Sequence, residues 1–383
     1  MGDPVLACLR WSESIAGRPR PAPGADGAWL VGVLPGEGVG PDLVRIGLQV
    51  LSALEAVGTQ RFCVRTFPGR AMSGGPGGGD LDPELVAFCQ TIFAGGGAIF
   101  AGAMGGRFVY QLRRLFRLFC KVSPVRVCDE ILAAGKMKAE AVRGVDLLLV
   151  RENVSGIYQG EWSESRTPGG HRVAEHRFRY AEPEVRAILE AAVSMARRRR
   201  GKLTVVAKEG GVPGITRLWY DCAQEIARRE SLTLSFANVD LAAYSLLQHA
   251  RELDVVVAPN LFGDMLADLA GVLLGSRALT YSGNFAADGA AVYQTNHGAA
   301  SDLLGADQAN PVGQIFSLAM LLRESFGLHR EAELVEGAVR RVWREGWRTR
   351  DLDQPACRQL GTREMGERVS EAVRRMASES QSS

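Results

Sequence analysis

Residues 260–271, NLFGDMLADLAG, place two aspartates, Asp264 and Asp268, in a run otherwise built from Asn, Leu, Phe, Gly, Met and Ala. A spacing of four puts them one turn apart on the same face of a helix. Unpaired carboxylates there repel each other and lose hydration. Either a divalent cation compensates them, or Asp264 caps the helix and Asp268 simply faces water. A third carboxylate, Asp240, opens the helical pattern VDLAAYSLLQHAREL just upstream. Three oxygen ligands suit Mg²⁺ or Mn²⁺, which retain water or substrate oxygens in their remaining octahedral positions.

The stretch follows an apolar run, LDVVVAPN, and this alternation recurs along the chain. WLVGVLPG precedes PDLVRIGLQVLSALEAV, GAIFAGAMGG precedes YQLRRLFRLFC, VDLLLVREN precedes a polar stretch, and KLTVVAKEGG precedes ITRLWYDCAQEIARR. Continuous apolar strands alternating with helices predict an α/β fold with a mostly parallel sheet covered on both faces. Ligands bind such sheets at the carboxyl ends of the strands. That rule points to Glu37, Arg151, Lys208 and Asn260 with Asp264. The polar stretch at residues 159–179 interrupts the alternation and reads as a surface loop or as an arm that contacts a second subunit.

At 383 residues the chain exceeds the size at which single cores stop growing, so two domains flanking a cleft are expected. A formal charge of +2 argues against a nucleic-acid partner, and no apolar segment is long enough to predict a membrane span. The seven cysteines (8, 63, 89, 120, 128, 222 and 357) are odd in number and form no Cys-x-x-Cys pair, which fits a reducing, cytoplasmic setting. Pro and Gly enrichment predicts a flexible leader over residues 1–28, and SESQSS a flexible tail over 376–383.

NLFGDMLADLAG resembles the signature segment of the metal-dependent decarboxylating dehydrogenases, the isocitrate and isopropylmalate dehydrogenase family. Three further stretches resemble that family's motifs in the same order: VGVLPGEGVGPDLV, LLLVRENVSGIYQGE and NHGAASDLLGADQANP. The resemblance implies an isopropylmalate dehydrogenase-like fold. Its large nucleotide-side domain would comprise residues 29–118 and 276–375, and its small domain residues 119–275 with a dimer-contact arm near 159–179. It implies oxidation of a 3-substituted malate at C2 with loss of the 3-carboxylate as CO₂. Arg113 and Arg151 match the arginines that clamp the malate carboxylates. Tyr158 matches the catalytic acid and Lys208 the catalytic lysine. Asp240, Asp264 and Asp268 match the metal ligands for Mg²⁺ or Mn²⁺. Lys208 and Asp240 would act from the neighbouring subunit of a homodimer. His297, Gly298, Asp302 and Asn310 match the adenosine-binding loop, and a carboxylate at Asp302 favours NAD over NADP by repelling a 2′-phosphate.

The pattern is broken in places. Ser123 stands where the family carries a further clamp arginine, and nearby Lys121 offers a point charge rather than a fork. The segment between AGAMGG and LRR is short, and Tyr110 occupies a position that varies with substrate, so the substituent at C3 is expected to be non-standard. Arg107 either reaches an extra anionic group or is solvated. Gln294 replaces a glutamate, and AKEGG departs from the family just after Lys208. These departures also fit a second reading, a non-catalytic regulatory subunit of a hetero-oligomeric isocitrate dehydrogenase-like enzyme.

Overall fold

The computed structural model describes residues 10–19, 21–69 and 81–381; Cys8, the first nine residues of the leader and the last two of the tail lie outside them. The first twelve strands begin with β1 (Ala28–Leu34), β2 (Arg61–Thr66), β3 (Ala98–Ala101), β4 (Cys120–Arg126), β5 (Asp146–Glu152) and β6 (Glu161–Arg166). They continue as β7 (Arg172–Arg177), β8 (Lys202–Ala207), β9 (Thr233–Asn238), β10 (Val255–Ala258), β11 (Tyr281–Phe285) and β12 (Ala291–Thr295). Ten of them form one sheet in the order β2-β1-β3-β12-β11-β4-β5-β10-β8-β9. Its two outer blocks, β2-β1-β3-β12 and β5-β10-β8-β9, are parallel throughout. Antiparallel pairing of β11 with β12, of β4 with β11, and of β4 with β5 joins the blocks.

The reason lies in the strand sequences. All four residues of β10 are buried, as are Leu147, Leu148, Leu149 and Val150 of β5. Strands apolar on both faces need helices on both faces, which the alternating segments supply. The opening stretch becomes the helix Asn260–Leu274, which starts two residues beyond β10 and stops at Gly275 in the left-handed conformation, φ 88°. It packs against β5. Gly263 makes that approach feasible, because a Cβ there would sit 2.8 Å from both Cβ and Cγ of Arg151.

Composition misjudges both ends of the chain. Within the expected leader, Arg10 Nη2 donates to the Glu324 carbonyl at 2.8 Å, and Ser12 N donates to Glu324 Oε2 at 2.8 Å. Ser12 and Ile15 are buried, so this part of the leader is a packed strap. The final helix, Thr362–Gln381, runs through residues expected to be a loose tail. Arg341 Nη1 holds Glu379 Oε2 at 2.8 Å and ties that end to the preceding helix, His329–Arg344. Residues 161–177 form an exposed antiparallel hairpin, β6–β7. Among the described residues no helix is long and apolar enough to cross a membrane.

Candidate active site

Register builds the site. Lys121 of β4 faces Arg151 of β5 across an antiparallel pair, so both side chains leave the sheet on the same side, and Ser123 follows two residues on. The helix Gly106–Leu115 brings Tyr110 and Arg113 to the same place, and the helix Asn260–Leu274 brings Asp264. Arg151 is buried, and its guanidinium is fully engaged at one edge. Nη2 donates to Asn260 Oδ1 at 2.9 Å, and Nη1 forms a short ion pair with Asp264. Tyr158 Oη donates to the other carboxylate oxygen, Asp264 Oδ2, at 3.0 Å. The Tyr158 ring lies 4.9 Å from that of Tyr110. The Arg113 guanidinium lies 5.6 Å from the Tyr110 centroid and that of Arg151 5.5 Å from the Tyr158 centroid.

The electrostatics follow from three cations and few anions in a buried place. Burial lowers the Lys121 ammonium well below the ordinary lysine range, and Arg113 and Arg151 push it further the same way. Arg113 is lowered for the same two reasons, burial and then Arg151. Burial alone would raise Asp264, but Arg151 and Lys121 hold it below the usual carboxylate range. Burial and then Asp264 raise the Tyr158 phenol, so it stays protonated at neutral pH. The cluster therefore offers excess positive charge to an anionic ligand and a neutral O–H beside it.

The metal candidates are divided. Asp264 and Asp268 share one helix face, Asp268 Oδ2 lying 2.6 Å from Arg277 Nη2. Two carboxylates one turn apart beside a solvent-facing edge fit part of a hard-cation site. Asp240 is not with them. Its Oδ1 accepts from Lys208 Nζ at 2.6 Å, on an exposed surface. Among the described residues, no three acidic, histidine or cysteine side chains of one chain converge on a common point.

The candidate nucleotide loop borders the same helix, Asp268 and Arg277 acting on the charge of His297. His297 Nδ1 contacts the Gly298 carbonyl at 2.9 Å, and Nε2 is buried without a partner among the described residues. Burial lowers this imidazole, which keeps it neutral. Asp302 is exposed in the short turn Ser301–Leu303. Asn310 Nδ2 donates to Asp351 Oδ2 at 3.0 Å. The loop is braced by the glycine turn after β1: Val39 N donates to the Ala299 carbonyl at 2.9 Å. Gly38, φ 55°, is required there, since a Cβ would stand 2.0 Å from that carbonyl oxygen.

Supporting contacts brace these residues, and Tyr180, Asn296 and Glu152 among the partners were not singled out from sequence. Asn260 Nδ2 donates to the Ser155 carbonyl at 2.8 Å, and Tyr180 Oη accepts from Asn260 N at 2.9 Å. Ser123 Oγ accepts from Asn296 Nδ2 at 3.2 Å. Arg107 is half-buried rather than free: Nη1 donates to the Tyr158 carbonyl at 2.8 Å, and its guanidinium lies 4.3 Å from the Trp162 centroid. Glu152, fully buried, accepts from the backbone N–H groups of Val154 and Ser155, shaping the turn that carries Tyr158. An acidic residue within a strand ending in Arg-Glu-Asn was the available signal for it.

Glu152 yields a stability prediction. Burial raises its carboxyl to about 7 from an ordinary 4.5. The folded-state value lies above the unfolded one, so its contribution is fully present below about pH 4.5 and is lost as pH rises to about 7. Glu152→Gln, which cannot ionise, is expected to gain on the parent chain by about 2–3 kcal/mol between pH 5 and pH 8. Urea denaturation at the two pH values checks this; an unchanged difference would refute it.

A family model for isocitrate/isopropylmalate dehydrogenase matches residues 30–369. The chain belongs to the isocitrate/isopropylmalate dehydrogenase family. It is 34% identical over 364 residues to the 3-isopropylmalate dehydrogenase of Geobacillus kaustophilus, covering 91% of this chain and 96% of that protein. Against the 3-isopropylmalate dehydrogenase of Nitratidesulfovibrio vulgaris it is 34% identical over 360 residues, covering 89% and 98%. A crystal structure of isocitrate dehydrogenase from Methylococcus capsulatus superposes with a TM-score of 0.78 at 28% identity, covering 90% of this chain and 99% of that one.

Proposed function

We propose that this family member is a decarboxylating dehydrogenase that oxidises a 3-substituted malate-type 2-hydroxy acid with NAD and Mg²⁺ or Mn²⁺. The observation that carries the reading is the cluster itself. Arg113, Lys121 and Arg151 surround Asp264, while Tyr158 holds a proton against it. That set suits a dicarboxylate whose reacting carbon must be protonated after CO₂ leaves.

Asp264 and Asp268 with Asp240 of a second copy would hold the cation, and His297, Gly298, Asp302 and Asn310 the adenosine of NAD. When bound, the cation supplies a Lewis acid for the C2 oxygen and NAD an acceptor for the C2 hydride. The protein's own groups do the rest. Arg113 and Arg151 grip the carboxylates. Lys208 of a second copy takes the C2 hydroxyl proton, and Tyr158 delivers its proton from Oη to C3.

Lys121 takes over the third cationic position that Ser123 vacates, because both project from the same face of β4 and Lys121 lies opposite Arg151. Lys121→Gln is expected to raise KM by roughly ten- to a hundredfold with a smaller change in kcat, since one charge-assisted contact is lost. Steady-state kinetics check this, and an unchanged KM would exclude Lys121 from substrate contact. Tyr110, packed at a tilt against Tyr158, narrows the space beside C3 and supports a non-standard substituent.

The working unit in this reading is a homodimer. Leu241 and Tyr244 on the helix Val239–Gln248, and Met265 on the helix Asn260–Leu274, expose large apolar side chains on two helices that pack together. Such a patch marks a contact surface, and Asp240 and Lys208 sit beside it. Residues 29–118 with 276–375, and 119–275, are the two domains that flank the cleft. Turnover with a panel of 3-substituted malates and Mn²⁺ tests the reading.

A further inference from the structure

A pocket of about 290 Å³ lies away from every residue assigned above, where the two blocks of the sheet are joined. Pro124 and Arg126 of β4 and Tyr281 of β11 line it, and these are the antiparallel strands that link the blocks. The helices Val312–Phe326 and His329–Arg344 supply a second wall. Packed interiors leave few voids larger than a water molecule, so a space of this size is a recess built for an occupant or left by imperfect packing. Its lining separates the two.

One side is aromatic and rigid. Phe316 lies edge-on to Trp343 with centroids 6.0 Å apart, and Tyr281 lies 5.6 Å from Phe316. Four arginines also line the space, and three are already ion-paired. Asp146 holds Arg126 at 3.2 Å and Arg199 at 2.9 Å; Glu336 holds Arg323 at 2.9 Å. Arg340 is different. Among the described residues it forms no ion pair; the thiol of Cys128, which also lines the pocket, is its side-chain partner, and Glu130 and Glu336 act on its charge from farther off. Glu333, on the same helix, is exposed, where water screens its charge. A half-buried guanidinium that faces a thiol beside an aromatic wall, with no carboxylate in direct contact, keeps its hydrogen-bond donors free for a directional anion contact.

We propose that this pocket binds a small organic monocarboxylate with a branched or aromatic apolar body. The carboxylate would pair with Arg340 and the body would lie against Tyr281, Phe316 and Trp343. Because Asp146 of β5 and the linking strands β4 and β11 all contribute to the lining, an occupant touches the second block and its seam at once. The inference stands apart from the proposed catalytic reading and survives if that reading fails.

The test is calorimetric titration of the full chain with phenylacetate and isovalerate, using benzyl alcohol and isoamyl alcohol as uncharged counterparts. Saturable binding of an acid is expected, with the matching alcohol at least about tenfold weaker. Arg340→Gln is expected to weaken the acid about tenfold or more, and Arg340→Lys less, while Arg151→Gln leaves it unchanged because the catalytic cluster is a separate anion site. Circular dichroism shows whether each variant folds, and Arg340→Lys keeps the test open if the glutamine variant does not. No saturable binding, equal binding of acid and alcohol, or loss in Arg151→Gln instead of Arg340→Gln would each overturn the proposal.

Discussion

Replacing Asp264 with asparagine is expected to lower kcat/KM by about a thousandfold while the chain still folds. The carboxylate does two jobs. It carries the negative charge that lets Arg113, Lys121 and Arg151 crowd together, and it accepts the Tyr158 hydroxyl at 3.0 Å. An amide retains an acceptor for Tyr158 but removes the charge, so the cluster is left uncompensated and a hard cation loses a ligand. Asp268→Asn is expected to cost less in stability, because Asp268 is half exposed and paired with Arg277 at the surface. NADH formation and urea denaturation measured side by side separate the two losses. A fully active Asp264→Asn chain would remove Asp264 from the chemistry.

The second large effect concerns the subunit surface. Leu241→Asp combined with Met265→Asp is expected to give a folded monomer whose turnover falls by a similar factor. The exposed apolar patch is then no longer self-complementary, and each cluster lacks Lys208 and Asp240 from outside. Light scattering reads the mass. A sharper version mixes two inactive variants, Lys208→Ala and Tyr158→Phe. If sites are shared, randomly reassorted dimers regain roughly a quarter of parent activity, since half the dimers then carry one intact site. No recovery after demonstrated subunit exchange would contradict sharing.

Much of this arrangement was legible in the sequence. Strand-end logic led to Arg151, Asn260 and Asp264, because apolar runs such as LDVVVAPN and VDLLLVREN end where the chain turns toward the cleft. The glycine in NLFGD also has a physical reading in retrospect, as the gap through which the Arg151 stem passes. The role of Lys121 was harder to see. It depends on a β4–β5 register that no local pattern encodes, and the short distance to Arg151 emerges only after the strands pair. The setting of Arg107 was hidden for a similar reason, its aromatic partner Trp162 lying on a hairpin that reads as mere surface. Composition misled at the ends. Arg10 and Ser12 look like loop residues until Glu324, buried more than 300 positions later in the chain, supplies their partner. Lys208 and Asp240 pair with each other in one chain, so only family resemblance connects them to Asp264 and Asp268.

The central claim is that the Arg113, Lys121, Arg151 and Asp264 cluster turns over a 3-substituted malate. The direct measurement is NADH formation from NAD with Mn²⁺ across D-malate, tartrate, isocitrate, homoisocitrate, 3-isopropylmalate, benzylmalate and phosphonomethylmalate, with Asp264→Asn as control. Turnover of at least one member that disappears in the variant is expected, and the preferred member names the C3 group that fits beside Tyr110. Silence across the whole panel from a chain that still dimerises and binds Mn²⁺ would contradict it and favour a regulatory subunit that keeps the fold without the reaction.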